Sequence, residues 1–214
     1  MMHISKYNVL ALALLFCCAP GFAQRNALNT EESAALRAKV TANTKSLQSL
    51  QSDFIQTKKL SYTDKAIRST GKFYFKAPGK IRWEYLSPSS YVVVFDGQTM
   101  HTKEGGRTRS TNLATNRRTQ GLNELLVSSL QEGDMLGGDR FATAYFRDKT
   151  DYIAVLTPKD KRLSSYIRQV ELVFDGTSLL LTRVTLTDPR GDSTQLAFTG
   201  QRKNETIPDA TFRP

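Results

Sequence analysis

Hydrophobic positions along the chain recur in two rhythms. Between residues 29 and 50, Leu36, Val40, Leu47 and Leu50 return at intervals of three, four or their sum, with Asn43 as the polar break in the stripe, a spacing that lines one face of a helix. Asn29 followed three residues later by Glu32 is a capping-box pattern and marks the start of that helix. After it the rhythm changes to alternation. Residues 52–60, 66–76, 80–86, 91–96 and 99–103 read as one group of strands, and 140–147, 151–157, 166–174, 179–187 and 193–202 as a second. Turn chemistry separates them: Ala77-Pro78-Gly79-Lys80 suits a type II turn, and Asp96-Gly97, Asp175-Gly176 and Asp188-Pro189-Arg190-Gly191-Asp192 are further breaks.

The stretch from Lys103 to Gly138 differs from both groups. Its first half is polar, basic and turn-prone, with Gly105, Gly106, Arg107, Arg109, Arg117 and Arg118. Leu122, Leu125, Leu126 and Leu130 then recur at helical spacing, which predicts a second short amphipathic helix. No Pro-rich or Ser/Gly tract divides the strand groups, so residues 24–214 are expected to form a single domain.

The strands have two unlike faces. Phe73 and Phe75 share one side, as do Ile81, Trp83 and Tyr85, and as do Val170, Leu172 and Phe174; Lys72, Arg82, Glu84 and Glu171 stand opposite. An antiparallel sheet with one apolar and one wet face follows. Two arrangements cover such a face: a second sheet packed as a sandwich, or a sheet curled into an open barrel with helices laid across its hollow. Two isolated amphipathic helices, and aromatics concentrated between Phe54 and Phe95, favour the curled sheet.

Composition narrows the chemistry. Lys6, the apolar run Val9–Phe16 and Gly21-Phe22-Ala23 form a secretory signal, so residues 1–23 are expected to be removed on export. Both cysteines, Cys17 and Cys18, leave with it, which excludes disulfides, thiol catalysis and thiolate metal sites from the mature chain. His101 is then the one remaining histidine, no G-x-S-x-G elbow or nucleotide-binding glycine pattern accompanies it, and no catalytic residue, metal site or cofactor is expected. The formal net charge of +10 invites a nucleic-acid reading, but export and the lack of interleaved aromatic and basic residues argue against nucleic acid. Anionic lipid headgroups or an acidic docking surface suit the arginines better.

Three segments together are recognisable: Ser52-Asp53-Phe54-Ile55-Gln56-Thr57-Lys58, the run from Ser69 through Gly71-Lys72-Phe73-Tyr74-Phe75-Lys76-Ala77-Pro78 to Tyr85, and Val94-Phe95-Asp96-Gly97. In order and spacing they resemble the periplasmic outer-membrane lipoprotein carrier family, LolA. The resemblance implies a mainly β fold, an incomplete antiparallel barrel closed by two or three short helices that form a lid over an apolar cavity. It also implies a non-enzymatic, monomeric carrier without cofactors. Such a carrier binds acylated lipoprotein or other lipid cargo, receives it from an inner-membrane ABC transporter and delivers it to an outer-membrane receptor lipoprotein. The family's cavity positions fall here on Ile81 and Trp83. Strand parity adds Phe54, Phe73, Phe75, Tyr85 and Val93, and the mid-chain helix adds Leu122, Leu125 and Leu126 as lid contacts. One departure matters for cargo: Ala77 stands where typical carriers have an arginine before the proline.

Overall fold

A computed structural model of the chain describes residues 25–96, 99–112, 136 and 138–214. All ten predicted strands are present, joined by two more, in a single twelve-stranded sheet. In chain order they are β1 (Asn26–Ala27), β2 (Ser49–Lys59), β3 (Ala66–Lys76), β4 (Lys80–Ser87), β5 (Tyr91–Asp96) and β6 (Thr99–Glu104). β7 (Arg107–Asn112), β8 (Phe141–Asp148), β9 (Asp151–Pro158), β10 (Gln169–Phe174), β11 (Leu181–Thr187) and β12 (Ser193–Lys203) follow. Their order in space is β1-β8-β9-β10-β11-β12-β2-β3-β4-β5-β6-β7, every neighbouring pair antiparallel. Two meanders are thus joined where β12 lies beside β2. The outermost strands, β1 and β7, do not pair with each other, so the curled sheet is not closed into a full barrel.

Two helices occur among the described residues, α1 (Thr30–Lys45) and the single turn α2 (Lys161–Ser164). The predicted cap is in place at α1: Asn29 Oδ1 accepts from the Glu32 backbone N–H at 2.9 Å, and Glu32 Oε2 accepts from the Asn29 N–H at 2.9 Å. α1 is shorter than its apolar periodicity predicts. Leu47 and Leu50 keep helical spacing with Val40, but from Ser49 the backbone is committed to paired ladders with both β3 and β12, and the helix stops before it. Asn43 also gains a reason. Its side-chain amide donates to the carbonyls of Ser178 and Leu179 at 3.3 and 3.2 Å, tying α1 to the β10–β11 turn.

One further difference from expectation has a local cause. Arg107 and Arg109, expected in a loop, lie on β7, which pairs with β6 after a turn in which Gly105 and Gly106 take φ of +53° and +79°. Polar residues on both faces of an exposed edge strand leave no alternation to read. The β3–β4 turn lies at Ala77-Pro78-Gly79-Lys80 as expected, with the Ala77–Pro78 peptide cis and Gly79 at a φ of +75°. Arg117, Arg118, Leu122, Leu125, Leu126 and Leu130 lie outside the described residues, as does the signal segment 1–23.

The apolar side chains divide into three clusters. On the inner face of β8–β11, Leu36 and Val40 of α1 pack with Leu163, Ile167, Leu172 and Phe174. A second cluster, mostly aromatic, occupies the inner face of β2–β5. The third is on the outer face, where the C-terminal segment lays Ile207 and Phe212 against Val94. That segment is fastened by charge: Asp209 accepts from Lys76 and Lys80 at 2.9 and 3.3 Å, and Arg82 donates to the carbonyls of Thr211 and Arg213.

Candidate functional site

Antiparallel register brings the predicted positions together. Phe73 lies opposite Trp83, Phe75 opposite Ile81 and Trp83 opposite Val93, while Phe54 on β2 faces Gly71 on β3. Alternate residues of a strand point the same way, so all of these side chains fall on one face. Phe54, Phe73, Phe75 and Ile81 are buried to within a few per cent, Trp83 retains 8 % exposure, and Tyr85 and Val93 are half-buried. Seven of the ten proposed positions therefore form one cluster. The other three, Leu122, Leu125 and Leu126, are outside the described residues.

The cluster is knit by ring contacts. Trp83 meets Phe73 edge-on at 4.8 Å between centroids, Phe54 at 5.4 Å and Phe198 at 6.2 Å. Tyr85 stands edge-on to Phe54 at 5.0 Å and stacks flat on Tyr91 at 4.3 Å. Gly71 makes the geometry possible. A Cβ at that position would sit 2.0 Å from the Glu84 carbonyl oxygen and 2.6 Å from Phe54 Cζ, so only a glycine lets the Phe54 ring come this close to β3.

Leu50, Phe95 and Phe198 also belong to this face or border it, and sequence reasoning did not nominate them. Alternation along β12 puts Phe198 on the same side as Leu196, but its place beside Phe54 depends on the β12–β2 pairing, between strands some 140 residues apart. Leu50 was assigned to the helix.

Two polar groups of the cluster bear on its chemistry. The Tyr85 hydroxyl donates to Gln56 Oε1 at 2.8 Å, and burial together with the neighbouring Tyr91 pushes its pKa well above the ordinary phenol value, so it stays protonated. The Trp83 indole Nε1–H is buried and has no hydrogen-bond partner among the described residues. His101 sits elsewhere, on β6, with Nδ1 2.8 Å from Ser110 Oγ of the paired strand; that contact ties β6 to β7. Two clefts of about 550 and 510 Å³ lie on the outer face, one lined by Arg82, Lys103 and Arg213, the other by Asp53, Lys72 and Arg202. Neither is lined by Phe54, Phe73, Ile81 or Trp83.

The structure is an unclosed antiparallel sheet, curled around a buried aromatic cluster on β2–β5, with α1 packed on the inner face of β8–β11. The chain belongs to the family described as outer membrane lipoprotein carrier protein LolA, whose model matches residues 45–214. It is 25 % identical over 182 residues to an outer-membrane lipoprotein carrier protein of Chromobacterium violaceum, covering 84 % of this chain and 82 % of that one. Against the carrier of Cupriavidus pinatubonensis the identity is 28 % over 147 residues, 68 % of this chain and 65 % of the relative. Among solved structures, the lipoprotein LppX of Mycobacterium tuberculosis shares the fold at 12 % identity, with a TM-score of 0.50 over 84 % of this chain and 99 % of that one. An uncharacterized conserved protein of Thermus thermophilus does so at 9 % identity, with a TM-score of 0.51 over 85 % and 92 %.

Proposed function

We propose that the protein is a periplasmic carrier that takes the acyl chains of lipoproteins onto the inner face around Trp83 and shields them from water, with no covalent step. The observation that carries this reading is the uncharged cluster of Phe54, Phe73, Phe75, Ile81 and Trp83 on an unclosed sheet, in a chain of the carrier family. Burying a methylene is worth ~0.8 kcal/mol, so a sixteen-carbon chain carries about 13 kcal/mol of reason to leave water. A flat patch shelters little of that chain; a curled sheet shelters most of it. The receiving membrane offers the same stabilisation, so a carrier must also let go. A sheet whose outer strands do not pair can spread without breaking a ladder between them.

In this reading cargo arrives from an inner-membrane ABC transporter and passes to an outer-membrane receptor, the carrier acting as a monomer after export. Arg107 and Arg109, exposed on β7, meet anionic headgroups or an acidic docking surface.

A second reading, a carrier of another lipid or a lipid-linked polyene, is favoured by Ala77. Its methyl packs against the aromatic cluster, and its N–H donates to the Gln48 carbonyl at 2.9 Å, where typical carriers present an arginine. Purification from the native host followed by mass spectrometry of extracted material tests both. Acylated proteins in the extract support the first reading, and a free lipid without them supports the second. An extract with neither overturns both.

A further inference from the structure

Trp83 is the sole tryptophan of the chain, and its indole N–H is the one cluster donor left unsatisfied among the described residues. Buried donors are almost always paired, and leaving one unpaired costs more than a made hydrogen bond gains. If the inner face had only to be greasy, a phenylalanine, as at the facing position Phe73, would fill the space without that cost. The contrast with Tyr85 sharpens the point. It lies two residues further along the same strand on the same face, and its hydroxyl is satisfied internally by Gln56. Trp83 is ringed instead by Phe54, Phe73 and Phe198, none of which can accept a conventional hydrogen bond.

We propose that the Trp83 Nε1–H is a cargo-recognition donor, which bonds the carbonyl oxygen of the acyl linkage and so registers the hydrocarbon chain at a set depth along the inner face. The inference rests on the carrier reading above, because it takes the ligand to be an acyl compound. It adds a polar contact to a site otherwise built from hydrocarbon. A carbonyl is the acceptor that every acyl chain carries at its head, and a plain alkane of the same length has none. The indole therefore distinguishes acyl from alkyl chains, which burial of methylenes alone does not do.

The test uses the intact mature protein and two probes delivered from cyclodextrin, methyl palmitate and n-octadecane, which has the same chain length and no acceptor. Uniform ¹⁵N labelling yields a single indole resonance, since there is a single tryptophan. The ester should move that resonance downfield and slow its exchange with solvent, and the alkane should do neither. Trp83→Phe should weaken ester binding about two- to tenfold more than alkane binding. Should this variant fold poorly, the resonance of the unaltered protein still decides the matter. Equal responses of the resonance to the two probes overturn the donor role while leaving the carrier reading intact. Failure of the unaltered protein to bind either probe overturns the carrier reading, and the donor role with it.

Discussion

Replacing Gly71 by alanine is the sharpest perturbation of the architecture that holds the aromatic face. The added methyl would lie 2.0 Å from the Glu84 carbonyl oxygen and 2.6–2.7 Å from two atoms of the Phe54 ring. The carbonyl is backbone of β4, adjacent to the residue that pairs with Gly71, so relief requires the β3–β4 ladder to open locally. The ring is 1 % exposed and wedged against Trp83 and Tyr85, so it has no free direction in which to swing. Overpacking of this kind costs about 1–3 kcal/mol, and a clash with backbone belongs at the upper end, near 3 kcal/mol. For a domain of this size each kcal/mol is about 2–4 °C, so Tm should fall by roughly 6–12 °C. Thermal unfolding followed by far-ultraviolet circular dichroism measures it. A double variant with Phe54→Ala separates the two contacts. Truncating the ring removes its share of the clash, so the two substitutions should cost less together than the sum of their separate costs, by more than about 0.5 kcal/mol. A Tm within 2 °C of the unaltered protein, or strict additivity, would refute the argument that Gly71 exists to seat Phe54.

Two further predictions concern the straps around the sheet. Asn43→Ala removes both bonds from α1 to the Ser178 and Leu179 carbonyls and should destabilise the fold by about 1–2 kcal/mol in urea titration, whereas Asn43→Asp, which keeps the size but cannot donate, should cost at least as much. Asp209 is held below its ordinary value of 3.8, first by the hydrogen bonds from Lys76 and Lys80 and then by their charge. A depressed carboxylate contributes its stabilisation in full above the unfolded value and loses it as pH falls through the folded one. The backbone amides from Ile207 to Phe212 should accordingly lose hydrogen-exchange protection as pH drops below about 3.8, beyond the intrinsic change in rate, and Asp209→Asn should show that loss already at neutral pH with no further step in the acid range. An Asn variant with the same acid step as the unaltered protein would place the titrating group elsewhere.

What the linear pattern determined is whatever depends on residues close in the chain. Alternation with a period of two marked the strands and told the faces apart, because Ile81, Trp83 and Tyr85 must share a side wherever the strand is placed. The Asn29–Glu32 cap was legible for the same reason, since its two hydrogen bonds close within four residues. Tertiary structure decided the rest. The apolar spacing of Leu47 and Leu50 fits a helix as well as it fits anything local, and only the pairing of β2 with both β12 and β3 converts that stretch to strand. β7 carries no alternation because it is an exposed edge, so its existence follows from β6 and not from its own residues. Gly71 is an unremarkable glycine until Phe54 is set across from it, and the unsatisfied Trp83 donor is invisible until its neighbours are known to be rings. Side-chain direction is a property of a strand, but what a side chain meets is a property of the ladder, and ladders join positions that the chain keeps far apart.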